Sequence, residues 1–238
     1  MPAVEHVDTL VTSLRTALAA EGDPERAVQQ QRYMKSAMPF RGIGLPRVRT
    51  IVRGVLDDPA HRPGSAAEWE ATVRRLWDEA SYREERYAAL TVARHRSARA
   101  WRTPAVLPLY RHLVVTGAWW DLVDETAGDL VAPLLRAYRT EVTPTVLAWA
   151  EDEDLWLRRA AILSQLGAKA ETDTALLETV LTANLEGSRH GSEFFVRKAI
   201  GWALRDYART DPDWVRGFLA RHHARLSGLS RREASKHL

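Results

Sequence analysis

The chain has 238 residues, 45% hydrophobic and 27% charged, with a formal net charge of +3, a composition ordinary for a globular protein with a sizeable core. No run approaches the roughly 20 apolar residues that span a bilayer, and MPAVEHVDTL has no apolar h-region, so no membrane segment or secretory signal is expected and a cytoplasmic location follows. The absence of cysteine excludes disulfides, thiolate nucleophiles and cysteine zinc sites.

Taken in chain order, the pattern is helix after helix. VDTLVTSLRTALAA is amphipathic, and a second helix restarts after Gly22, with Asp23 as N-cap and Pro24 at the first helical position. MPFRGIGLP is a loop with two glycines and two prolines. LPRVRTIVRGVLDD follows as a helix, DPAHRPGS breaks it, and SAAEWEATVRRLWDEA opens with a Ser–x–x–Glu capping box, Ser65 to Glu68. Helical runs continue through SYREERYAALTVARHRSARA, TPAVLPLYRHLVVTG and AWWDLVDETAGDLVAPLLRAY, the last read as one helix. TPTVLAWAED, DLWLRRAAILSQL, TDTALLETVLTANLEG, SEFFVRKAIGWALRDYART, DPDWVRGFLARHHARL and SRREASKHL complete the chain. No segment reads as a period-two strand.

The expectation is an all-α chain of about twelve helices, in pairs that recur every ~35–45 residues. Such pairs cannot bury their apolar faces alone. Stacking them gives a curved α-solenoid with a concave groove, here a single domain over residues 1–238. A compact irregular helical bundle is the alternative.

Charge is uneven. From Ser188 to Leu238 there are eleven Lys/Arg against five Asp/Glu, a local balance of +6, so the rest of the chain carries about −3. A basic C-terminal fifth is an electrostatic footprint for a polyanion, or a solvated basic surface.

Several residues stand where folding alone would not put them. Arg159, in LWLRRAAILSQL, has Leu155, Ile162 and Leu166 as helical neighbours and so projects from the apolar stripe. A buried arginine needs an anion, and Asp124, another acidic side chain or a bound phosphate would serve. Arg158, four residues after Asp154, reads instead as half of a surface ion pair. Asp124 stands one turn after Trp120, at the edge of an apolar stripe. Trp202 lies off the core stripe of Val196, Ile200, Ala203 and Tyr207 and shares a face with Lys198 and Arg205. It reads either as a helix-packing ring or as a face for a sugar or base whose phosphates the two cations hold. Tyr33 and Lys35 occupy adjacent faces of the second helix and are weaker candidates. No HExxH, P-loop or GxGxxG pattern is present, and no metal or cofactor is expected.

Five segments in order, RYMKSAMPFRGIGLPRVR, AWWDLVDETA, LWLRRAAILSQL, EFFVRKAIGWALRDYARTDPDWV and LSRREASKHL, resemble the DNA alkylation repair glycosylases of the AlkD type. The resemblance spans the chain from about Gln31 to its C-terminus. It implies a stack of HEAT-like repeats with a concave basic groove for duplex DNA that contains alkylated purines, and since nothing in the sequence demands a dimer, a monomer is expected. The implied reaction is hydrolysis of the N-glycosidic bond of 3-methyladenine and 7-methylguanine. By the same resemblance the catalytic aspartate falls on Asp124, its aromatic partner on Trp120, the active-site arginine on Arg159 and a second aromatic on Trp202. Tyr33, Lys35, Lys198 and Arg205 would contact DNA. Two segments depart from the family pattern. SAMPFRG places Ala37, Met38 and Pro39 in a loop that could abut DNA, and LEGSRHGSEFF exceeds the family pattern before EFF by a few residues.

Overall fold

In a computed structural model that describes residues 2–238, every regular element is helical: fourteen α-helices and several short turns, with no strand among the described residues. No helix among them is long and apolar enough to cross a membrane. The all-α expectation holds. The chain divides into two compact units, one ending at Arg102 and the other spanning Thr103–Leu238.

The first unit contains α1 (Pro2–Ala19), α2 (Pro24–Met34), α3 (Leu45–Asp57), α4 (Ala66–Asp78) and α5 (Arg83–Arg94). Start signals act as the sequence indicates. Asp23 accepts from the amides of Glu25 and Arg26, and Ser65 Oγ accepts from the Glu68 amide. The reciprocal half of the capping box differs, because the Glu68 carboxylate takes the Gly64 amide and His6. α1 packs against α4, and Leu10, Leu14 and Leu18 of the first and Trp69, Val73, Leu76 and Trp77 of the second are all buried. Each such side chain contributes about 1.5–3 kcal/mol. α5 runs through the middle of this unit, buried continuously from Tyr87 to Ala93.

The loop before α3 is fixed rather than free. The fully buried carboxylate of Glu84 accepts three successive amides, from Arg41, Gly42 and Ile43, at 2.9–3.1 Å. Gly42 has φ +89, and a Cβ there would overlap the Asp23 carbonyl. Only glycine fits that position. Truncating Glu84 to alanine would leave three amides without an acceptor. The expected loss is about 3 kcal/mol or more, read as a fall in the denaturant midpoint at unchanged m-value.

The second unit contains α6 (Leu107–Gly117), α7 (Trp120–Glu125), α8 (Ala132–Ala137), α9 (Arg139–Glu151), α10 (Leu155–Leu163), α11 (Thr174–Thr182), α12 (Phe194–Tyr207), α13 (Pro212–Arg221) and α14 (Gly228–Ala234). α10 is central, packed against α6, α7, α9, α11 and α12. It is buried without interruption from Leu157 to Leu163. α12 packs most extensively against α14, and Gly201 is the reason the two approach so closely. A Cβ at Gly201 would lie 2.5 Å from Glu233 Cβ and 3.0 Å from the Ser230 carbonyl oxygen.

Three local expectations are corrected. Residues 118–138 do not form one α-helix, since a π-helical turn, Thr126–Val131, separates α7 from α8. Pro133 lacks an amide and crowds the carbonyl four residues back, and widening the ladder accommodates it. The Ala132 amide reaches Ala127 O, five residues away. Lys35 is not on the second helix. It closes the end of α2 in a left-handed conformation, φ 50. Arg158 makes no surface ion pair with Asp154. Asp154 is occupied as the N-cap of α10, accepting from Trp156 and Leu157. Arg158 is buried and donates to the carbonyls of Glu151 and Asp152, which end α9, and to Asn184 Oδ1. Burial pushes its pKa down, but these acceptors keep the cation satisfied.

Candidate active site

The site begins with a cation inside α10. Arg159 is 3% exposed. Its guanidinium forks onto Asp124, with Nε to Oδ1 at 2.7 Å and Nη2 to Oδ2 at 2.8 Å. Nη1 donates to the Phe195 carbonyl at the start of α12. One residue of α10 therefore ties α7 to α12. Of the three anions open to Arg159 on the sequence, the structure selects Asp124. A planar fork matched to a carboxylate is the strongest form of this pair.

Asp124 is the last residue but one of α7, two positions before the π turn begins. Such turns occur often at functional sites because they re-aim side chains. Its side chain keeps 13% exposure against 4% for Arg159, so the carboxylate forms the accessible end of the pair. Burial raises its pKa above the ordinary carboxylate value. The Arg159 hydrogen bonds and charge oppose that rise, and Asp121, one turn earlier, adds to it.

An aromatic cluster backs the pair. Trp119, Trp156 and Phe195 have ring centroids 5.0–6.0 Å apart. The Arg159 guanidinium lies over the Phe195 ring at 5.8 Å. Phe194, 55% exposed, meets Phe195 edge to face. Trp120 opens α7 and is half-buried. Sequence reasoning singled out Trp120 and passed over Trp119, Trp156 and Phe195. The signal was present, since an aromatic in each of three motifs, WW, LW and FF, flanks a candidate residue.

Trp202 lies two turns along α12 from Phe195. Residues seven apart share a face, so Phe195, Lys198, Trp202 and Arg205 form one stripe. Trp202 is half-buried, consistent with its displacement from the core residues Val196, Ile200 and Ala203. The two cations beside it are engaged. Glu233 of α14 accepts from Lys198 at 2.9 Å and from Arg205 at 2.6 Å, and also from Lys236 at 2.9 Å. No sequence signal marked Glu233, which sits in a run of basic residues 28 positions from Arg205.

Lys198 and Lys236 hold the Glu233 carboxyl down to about 2 from an ordinary 4.5. A depressed carboxyl stabilises the fold above the unfolded pKa, and that stability is lost as pH falls from about 4.5 towards 2. Wild type should therefore lose stability across that window faster than Glu233→Gln, with the gap between them largest at neutral pH. Thermal unfolding at several pH values measures this.

Tyr33 and Lys35 belong to the first unit, both on its surface, with Tyr33 75% exposed. Among the described residues no group of three or more His, Asp or Glu is placed to hold a metal ion.

The all-helical architecture agrees with comparisons to known proteins. The family model for DNA alkylation repair enzymes matches residues 14–238. A solved structure of a predicted DNA alkylation repair enzyme from Enterococcus faecalis superposes with a TM-score of 0.77 at 30% identity, covering 91% of this chain and 96% of that one. No curated protein matches. A match over nearly the whole chain, in sequence and in fold together, places it: the chain belongs to the family of DNA alkylation repair enzymes, proteins that act on DNA.

Proposed function

We propose that the protein is a DNA glycosylase that hydrolyses the N-glycosidic bond of positively charged alkylpurines in duplex DNA, chiefly 3-methyladenine and 7-methylguanine, with bulkier N3 or N7 adducts as further substrates. The observation that carries this reading is the Asp124 carboxylate, clamped by a buried arginine, backed by aromatic rings and more exposed than its partner.

The chemistry suits such a group. An N3- or N7-alkylated purine is already cationic and leaves without strong protonation. As the bond between C1′ and the purine nitrogen breaks, its electron pair neutralises the purine and positive charge develops on the sugar. Asp124 stabilises that charge and orients the water whose oxygen bonds to C1′. The water's proton passes through the carboxylate to solvent. The products are the free alkylated base and an abasic site. Arg159 fixes the carboxylate's orientation and favours its ionised form. Trp120 and Trp202 offer π faces to the cationic sugar. Lys198 and Arg205, with Tyr33 and Lys35 in the first unit, contact the strand, and affinity falls with salt accordingly. The reaction needs no metal or redox cofactor, and nothing in the chemistry requires more than a monomer.

A non-catalytic DNA-binding protein of the same architecture would keep the cationic stripe and have no need of Asp124. Incubation with methylated duplex distinguishes the two. Free methylpurine, with a matching number of abasic sites, supports the glycosylase. Tight duplex binding with no base release supports the binder.

A further inference from the structure

A cavity of about 310 Å³ lies at the far end of the α12 stripe, lined by Trp202, Arg205, Asp206, Arg209, Lys236 and His237. We propose that it is a subsite for one backbone phosphate of the DNA strand, a role that rests on the proposed glycosylase reading only for the position of the lesion.

Three observations support it. First, cations outnumber anions. Lys198, Arg205 and Lys236 share the single carboxylate of Glu233, which leaves positive charge uncompensated. The lining carboxylate, Asp206, already accepts the Gly167 amide at 2.8 Å through Oδ2. Second, the cationic groups are held in place. Arg209 Nη2 donates to His237 Nε2 at 2.9 Å, and Glu233 anchors Arg205 and Lys236 from behind. Guanidinium N–H groups preset in this way lose little freedom on meeting a phosphate. Third, the cavity continues the stripe that starts at the catalytic pair. Phe195, Lys198, Trp202 and Arg205 follow one another at helical spacing, and Arg209 lies two residues past the end of α12. Arg205 lies about 15 Å along the helix from Phe195, whose carbonyl holds Arg159. At about 3.4 Å of rise per nucleotide, that distance corresponds to four or five nucleotides of one strand. Trp202 then sits between the sugar at Asp124 and the phosphate in the cavity.

The test uses Arg209→Ala, whose side chain contacts only His237 within this network, and the double variant Arg209→Ala/Lys236→Ala. Binding of an unmodified duplex is titrated over a range of salt. The double variant should bind about tenfold more weakly at fixed salt, and its slope of log affinity against log salt should be shallower by about 1. A correctly folded double variant with wild-type affinity and slope overturns the proposal. Because this arm uses undamaged DNA, its outcome is independent of base release. In a second arm, a neutral methylphosphonate is placed four or five nucleotides from a methylated purine. It should weaken wild-type binding and leave the double variant unaffected. If inorganic phosphate stabilises the wild type while duplex affinity is the same in all variants, the cavity serves free phosphate and the DNA assignment fails.

Discussion

Asp124→Asn is expected to lower release of a methylated purine by about 10²–10⁴-fold while duplex affinity stays within a few fold. The substitution keeps the shape of the side chain and removes its charge. It withdraws the charge proposed to answer the cationic sugar and leaves Lys198 and Arg205 of α12 untouched. One amide NH₂ would then face an Arg159 N–H, so a modest loss of stability should accompany the catalytic one. Thermal unfolding separates the two effects. The pH profile gives a second readout. Asp124 works ionised, so activity falls as pH drops through its pKa. Because burial raises that pKa, the acid limb should lie above the usual aspartate range, and the asparagine variant should lack it. Equal loss of binding and base release in a folded variant would make the fork a structural ion pair.

Arg159→Met carries the second large effect. It leaves the Asp124 carboxylate buried without its partner and strips the Phe195 carbonyl of its donor. Removing one member of a buried ion pair costs about 3–5 kcal/mol, measurable in denaturant unfolding. The variant has a further signature that lost packing alone would not produce. Arg159 is what opposes the upward pull of burial on Asp124. Without it the Asp124 pKa rises further, and any residual activity should show its acid limb at higher pH than wild type. A residual activity with an unmoved acid limb would separate Arg159 from the chemistry.

Much of this architecture was legible in the sequence because helices announce themselves locally. Period-3.6 apolar spacing and the Asp23 and Ser65 caps located most elements of both units. Arg159 was visible as a cation that the spacing of Leu155, Ile162 and Leu166 drew onto the apolar face. Its partner was not fixed by spacing, since Asp124 lies 35 positions away and only packing of α7 on α10 joins them. Glu84 and Glu233 escaped for the same reason. Each looks like an ordinary surface carboxylate within its own helix, and each is buried by a segment distant in sequence. Arg158 was misplaced because an i−4 aspartate offers an easy local partner, while the actual acceptors are the exposed carbonyls ending the preceding helix. The π turn after Asp124 was hidden because helical periodicity tolerates one extra residue. Pro133 was its only local sign.

The most direct test of the central claim is incubation of the wild-type protein with duplex DNA carrying 3-methyladenine and 7-methylguanine, with free base and abasic sites quantified together over time. Equal, time-dependent appearance of both, abolished by Asp124→Asn, is the predicted result. Intact methylated strands after prolonged incubation with protein that demonstrably binds the duplex would contradict it.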